Sequence, residues 1–151
     1  MGSPDRDAKN SMGLWRRILG RCLTREAADR SCWSYAEGQL TVNLERVPEL
    51  AGRGSGVRIE GGELPARILL VRGDDGELYA FRNACTHAGR RLDPVPDAGT
   101  IQCCSVGKST FDYRGTRLKG SGKADVTAYP VAASGQLAVI ALEPVRPAAS
   151  G

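Results

Sequence analysis

Cys85-Thr86-His87 is followed sixteen residues later, counting from 87 to 103, by Cys103-Cys104, and His87 is the only histidine in the chain. Thiolate and imidazole are ligands for iron and zinc. A Cys-x-His pair on one loop with a cysteine-bearing loop downstream can clamp a sulfide-bridged pair of irons, a chemistry that ordinarily uses two histidines on one iron. The residue types therefore point to a two-loop metal centre that is one imidazole short.

Such loops need strands to carry them, and the sequence around them has strand period. Leu40, Val42 and Leu44 alternate with polar residues, Val47-Pro48-Glu49-Leu50 reads as a turn, and Ala51 to Gly56 is glycine-rich. Ala66 to Arg72 and Glu77 to Phe81, joined by Gly73-Asp74-Asp75-Gly76, predict a β-hairpin that delivers the chain into Cys85. After the second loop, Ser109 to Tyr113 and Arg117-Leu118 flank Arg114-Gly115-Thr116 as another hairpin. Ala128 to Val131 and Leu137 to Leu142, linked through Ser134-Gly135, predict the closing strands, and no internal repeat is present.

Composition agrees with a β-rich domain. The chain has 151 residues, room for one domain with extensions, and its 19 glycines and 8 prolines with 5% aromatic residues suit many turns between short strands. The net charge of +4 is spread along the chain rather than gathered in a block, which argues against a nucleic-acid role. No apolar run reaches the 18 to 20 residues, roughly, of a membrane span. Arg16-Arg17 lacks the apolar stretch of an export signal after it, because Arg21, Arg25 and Glu26 interrupt. The expectation is a cytoplasmic protein, with peripheral attachment to a membrane complex left open.

Residues 1–12 are polar and aperiodic, the pattern of a flexible tail. In 13–39 the spacing of Leu14, Trp15, Ile18, Leu19, Cys22 and Leu23, with Arg16, Arg17, Arg21 and Arg25 on other faces, predicts a basic amphipathic helix over 13–25 and then a linker. That helix could pack on its own domain, dock into a partner subunit or lie on an anionic membrane. Five cysteines is an odd number, and three of them lie in the two loops. Cys22 and Cys32 then read as small buried hydrophobes or thiols, with a disulfide or a second metal site as the alternatives. Residues 144–151 form a Pro/Ala-rich tail.

Residues Asn83 to Leu92 match C-x-H-x-G-x-x-L, and the approach Leu78 to Phe81, Phe111-Asp112 with Gly115, and Tyr129-Pro130-Val131 match further segments. On these residues the stretch 40–143 resembles a Rieske-type 2Fe-2S domain. The resemblance implies a mainly β fold, an antiparallel β sandwich with a small cluster-binding subdomain. The departure lies in the second loop, where the family has C-x-x-H-G and this chain has Cys103-Cys104-Ser105-Val106-Gly107-Lys108-Ser109. Counting back from Phe111 aligns Cys104 with the family cysteine and Gly107 with its histidine; counting from Cys103 puts Val106 there.

Four readings of the site follow from the resemblance. In the first, a 2Fe-2S cluster is held by Cys85, His87 and Cys104, with Cys103 as fourth ligand in preference to Lys108, whose amine is normally protonated. A thiolate in place of imidazole would lower the potential, Lys108 would oppose that shift, and Ser109 falls where a hydrogen bond to a cluster sulfur would raise it. In the second, the cluster is lost and the fold serves protein–protein interaction or assembly. In the third, Cys85, His87, Cys103 and Cys104 hold zinc; in the fourth, Cys103 and Cys104 act as a redox thiol pair, although a disulfide between neighbours is strained. His87 in this setting is read as a ligand, and Arg90 and Arg91 as either solvated or facing an acidic partner.

The chain shows no nucleophile–base pair and no nucleotide-binding glycine motif, so it is not expected to be an enzyme alone. The implied activity is electron transfer, as the component of an oxidoreductase complex or with a redox protein partner.

Overall fold

The computed structural model describes residues 22–86, 89–104, 109–120 and 124–142. Twelve strands lie among them: β1 Trp33–Ala36, β2 Gln39–Asn43, β3 Gly56–Ile59, β4 Ile68–Arg72, β5 Leu78–Arg82, β6 Leu92–Val95, β7 Thr100–Cys103, β8 Thr110–Asp112, β9 Arg117–Lys119, β10 Ala128–Tyr129, β11 Val131–Ser134 and β12 Leu137–Ala141. They form three four-stranded antiparallel sheets, ordered β1-β2-β12-β11, β10-β5-β4-β3 and β6-β7-β8-β9. The mainly β, antiparallel expectation holds.

Strand β4 explains the layering. Ile68, Leu69, Leu70 and Val71 are all fully buried, because the strand is central in its sheet and covered on both faces. Successive side chains point to opposite faces: Ile68 and Leu70 join one apolar cluster with Leu40, Val42 and Ile140, while Leu69 and Val71 join a second with Phe81, Ile101 and Phe111. The first cluster lies against β2 and β12, and the second against the third sheet. Burying Phe81 and Phe111, both fully covered, contributes on the order of 1.5 to 3 kcal/mol each.

The hairpins at Gly73–Gly76 and Arg114–Thr116 form as expected: Val71 pairs with Tyr79 and Arg72 with Leu78, and Phe111 pairs with Arg117. Pro130 divides the closing segment between sheets, since Ala128 and Tyr129 pair with β5 whereas Val131 to Ser134 pair with β12. Strands β1, β3, β6 and β7 were not anticipated. The third sheet, which carries both cysteine loops, is half built from two of them.

No α-helix occurs among the described residues. Cys22 to Arg25, expected as the end of the basic helix, are not helical, which corrects the helix over its last turn; residues 13–21 lie outside the described residues. The reason is a competing set of partners. Asp93 accepts from the Leu23 and Thr24 N–H groups at 2.8 and 2.9 Å. The Arg58 N–H donates to Arg25 O at 2.8 Å and Ala27 N–H to Arg58 O at 3.0 Å, so the segment runs beside β3, with a parallel bridge from Glu26 to Arg58. The tails 1–12 and 144–151 also lie outside the described residues.

Candidate functional site

The first loop leaves the end of β5 and returns as β6. Asn83, fully buried, closes it at the base: its backbone N–H donates to Arg67 O at 2.8 Å, and its side-chain Oδ1 accepts from the Leu92 N–H at 2.7 Å. Inside this closure Cys85 N–H donates to Arg90 O at 2.6 Å and Gly89 N–H to Cys85 O at 2.8 Å. Gly89 has φ +67, a left-handed turn that glycine adopts without steric cost. Thr86 Oγ1 donates to Ala124 O at 2.8 Å and Arg67 donates to Gly89 O, tying the loop to its surroundings. His87 lies outside the described residues.

The second loop begins where β7 ends. Cys103 N–H donates to Ser109 O at 2.8 Å, and Cys104 N–H donates to Arg91 O at 3.0 Å, so the two loops start side by side. Cys85 and Cys103, 3% and 2% exposed, sit in the same buried apolar cluster beneath them. A cleft of about 250 Å³ beside Cys85 is bordered by Arg82, Thr86 and Asp125. Ser109 is fully buried at the far side of the second loop. Lys108 lies outside the described residues.

Cys104 takes a different path. Its sulfur is joined in a disulfide to Cys22, with a Cα–Cα distance of 5.3 Å across a sequence separation of 82, inside the ordinary span for such a bond. A carboxylate oxygen of Asp93 lies within 4.8 Å of both sulfurs. Cys103 and Cys104 therefore do not form the thiol pair that their adjacency suggested; the partner of Cys104 is Cys22. Cys32 behaves as a small hydrophobe, 1% exposed in the first cluster. Burial first, then the Asp29 and Glu49 charges, push its thiol above the ordinary range, so it stays protonated and unreactive.

The cations near the first loop are settled by geometry. Arg91 grips Glu60 with Nε to Oε1 at 2.7 Å and Nη2 to Oε2 at 3.0 Å. That guanidinium holds the Glu60 carboxyl below its usual range, with Arg58 and Arg67 adding to it, and Glu60 in turn raises Arg91. Arg91 is thus engaged with Glu60 within the fold, whereas Arg90 is exposed. Sequence reasoning gave no role to Asn83 or Asp93, and it offered a disulfide for Cys22 only as an alternative to a buried thiol, without naming Cys104 as the partner. An asparagine two residues before a ligand loop was a readable signal, while the disulfide partner of Cys104 was not.

The family's ordinary set of two cysteines and two histidines does not fit this chain. There is one histidine in all 151 residues, and Cys104, the second-loop cysteine reached by counting back from Phe111, is bonded to Cys22. A sulfur in a disulfide has no thiolate charge with which to bind iron. What the fold does retain is the juxtaposition of the loops, with Cys85 and Cys103 outside any disulfide.

Comparison with known proteins agrees with the fold. The family model described as Rieske [2Fe-2S] domain matches residues 41–130. The glycine betaine monooxygenase oxygenase subunit of Chromohalobacter salexigens is 41% identical over 44 residues, which is 29% of this chain and 9% of that protein. The ferredoxin of carbazole 1,9a-dioxygenase from Nocardioides aromaticivorans superposes with a TM-score of 0.55 at 21% identity, covering 68% of this chain and 95% of the ferredoxin. The terminal oxygenase of the same dioxygenase gives 0.51 at 24% identity, over 65% of this chain and 29% of that one. At these identities the structural likenesses speak for the fold alone, and the chain spans a small part of the monooxygenase it matches.

Proposed function

Because the chain belongs to the Rieske [2Fe-2S] domain family, we propose that it works as an electron-transfer component of a larger oxidoreductase, or with a redox protein partner, rather than as an enzyme alone. The observation that supports this most is the convergence of the two loops, through Cys104 N–H on Arg91 O and the shared burial of Cys85 and Cys103. Cys104 is accounted for by its bond to Cys22, whereas Cys85 and Cys103 are two buried cysteines outside any disulfide at the meeting of the loops. A 2Fe-2S cluster supplies one-electron redox chemistry when bound.

In this reading the ligand set is altered: Cys85 and His87 from the first loop, Cys104 from the second, and Cys103 ahead of Lys108 as the fourth. Cys104 takes that role only once its bond to Cys22 is open. Lys108 and Ser109 then adjust the potential, one by charge and the other by hydrogen bonding. The place of work is the cytoplasm, free or at the periphery of a membrane complex; no helix among the described residues is long and apolar enough to cross a membrane.

The Cys22–Cys104 bond favours a second reading, a cluster-free Rieske-fold subunit that acts in docking or assembly. Iron and acid-labile sulfide, measured per chain after anaerobic purification and reconstitution under reducing conditions, separate the two. Stoichiometric iron and sulfide support electron transfer. Their absence after reconstitution leaves the docking reading.

A further inference from the structure

We infer that Cys22 and Cys104 form a reversible two-electron dithiol–disulfide couple, and that its state governs whether Cys104 is free to act at the second loop. The governing role rests on the altered ligand set proposed above; the couple itself rests only on the geometry that follows.

The two sulfurs are unequally placed. Cys104 is 4% exposed, whereas Cys22 is half-buried and is followed by Leu23 at 63% exposure. An incoming thiol therefore reaches the Cys22 side of the bond, and Cys104 is the sulfur that leaves. The other cysteines are buried elsewhere, Cys85 and Cys103 in the second apolar cluster and Cys32 in the first.

The couple is also held ready to reclose. Opening the bond leaves the Asp93 carboxylate on the Leu23 and Thr24 N–H groups, and leaves Arg25 and Ala27 paired with Arg58. Cys22 is thus anchored one residue from a fixed point while its partner sulfur stays in the fold. Bringing two thiols together from an unfolded chain over 82 residues costs loop-closure entropy. In the folded domain that ordering is already in place.

The exchange balances with a dithiol donor. A donor thiolate attacks Cys22 Sγ, a bond forms between them, the Cys22–Cys104 bond breaks, and Cys104 leaves as thiolate and takes up a proton. The donor's second thiol then attacks the mixed disulfide, which frees Cys22 as a thiol and leaves the donor as its own disulfide. Two electrons and two protons pass from donor to couple.

The test uses the full chain equilibrated in mixtures of reduced and oxidised dithiothreitol, quenched with N-ethylmaleimide and mapped by mass spectrometry. Cys22 and Cys104 are expected to become labelled together, their reduced-to-oxidised ratio rising tenfold for each tenfold rise in the dithiol-to-disulfide ratio, with the far-ultraviolet circular dichroism unchanged. In Cys22→Ser, Cys104 should be labelled without any reductant. A bond that opens only in denaturant, or a non-reducing peptide map in which Cys22 is not joined to Cys104, overturns the inference. Iron and sulfide analysis of the same reduced samples after anaerobic reconstitution keeps the two proposals apart: a working couple that takes up no iron defeats the cluster and leaves the couple standing.

Discussion

Cys103 and Cys104 are neighbours in sequence whose side chains part at the end of β7: Cys103 enters the apolar cluster that holds Cys85, and Cys104, also buried, bonds to Cys22. This is the alternation of an extended chain. It means that the two sulfurs cannot converge on one metal without rebuilding the start of the second loop, and it sets different expectations for the two cysteines.

Under the electron-transfer reading, Cys85→Ser should abolish iron binding, since no other cysteine is available on the first loop. Cys103→Ser and Lys108→Met identify the fourth ligand: the substitution that removes the cluster marks it, and the other should leave iron content unchanged while Lys108→Met lowers the potential. Iron per chain and redox titration read both.

Asn83→Ala should loosen the first loop. It leaves the Leu92 N–H without its partner in a buried place, a loss of about 1 to 3 kcal/mol. Urea unfolding should show that loss as a lower midpoint with an unchanged slope. An unchanged midpoint would mean that Asn83 does not close the loop.

Gly115 has φ +87, and a Cβ there would lie 2.2 Å from Val126 O, while the Val126 N–H donates to Gly115 O at 2.9 Å. Gly115→Ala combines an unfavourable backbone with a backbone clash and should cost more than about 1 kcal/mol. The same substitution at Gly52, where no atom lies within 4 Å of the added Cβ, should be close to neutral. Thermal unfolding of the pair makes the comparison.

The fold was legible where burial is one-sided. Leu40, Val42, Ala138 and Ile140 point inward with polar or half-buried residues between them, and the turns at 73–76 and 114–116 carry their own glycine chemistry. It was least legible for β3 in a glycine-rich stretch, and for β6 and β7, whose Pro94 and short lengths hide their period. The site was legible as two loops, because Cys-x-His and its flanks are local in sequence. The disulfide was not, because it depends on residues 22 and 104 meeting in space. The helical spacing before it misled for the same reason: Asp93, seventy residues on from Leu23, supplies partners that no local pattern contains.

The Glu60–Arg91 pair should make stability depend on acid. Glu60 is held below its ordinary value of 4.5, so its contribution is fully present above that pH and is lost as the pH falls through the lowered value. Solvent screens the pair, since the Arg91 side chain is 37% exposed, and a contribution of about 1 kcal/mol is expected. Arg91→Met should remove this acid-dependent part, so that wild type and variant converge in stability at low pH and separate above 4.5.

The most direct test of the electron-transfer account is low-temperature electron paramagnetic resonance of the anaerobically reconstituted, dithionite-reduced chain. The account expects a reduced 2Fe-2S signal that disappears in Cys85→Ser. A chain with its Cys22–Cys104 bond opened, supplied with iron and sulfide, that remains colourless and silent would contradict it.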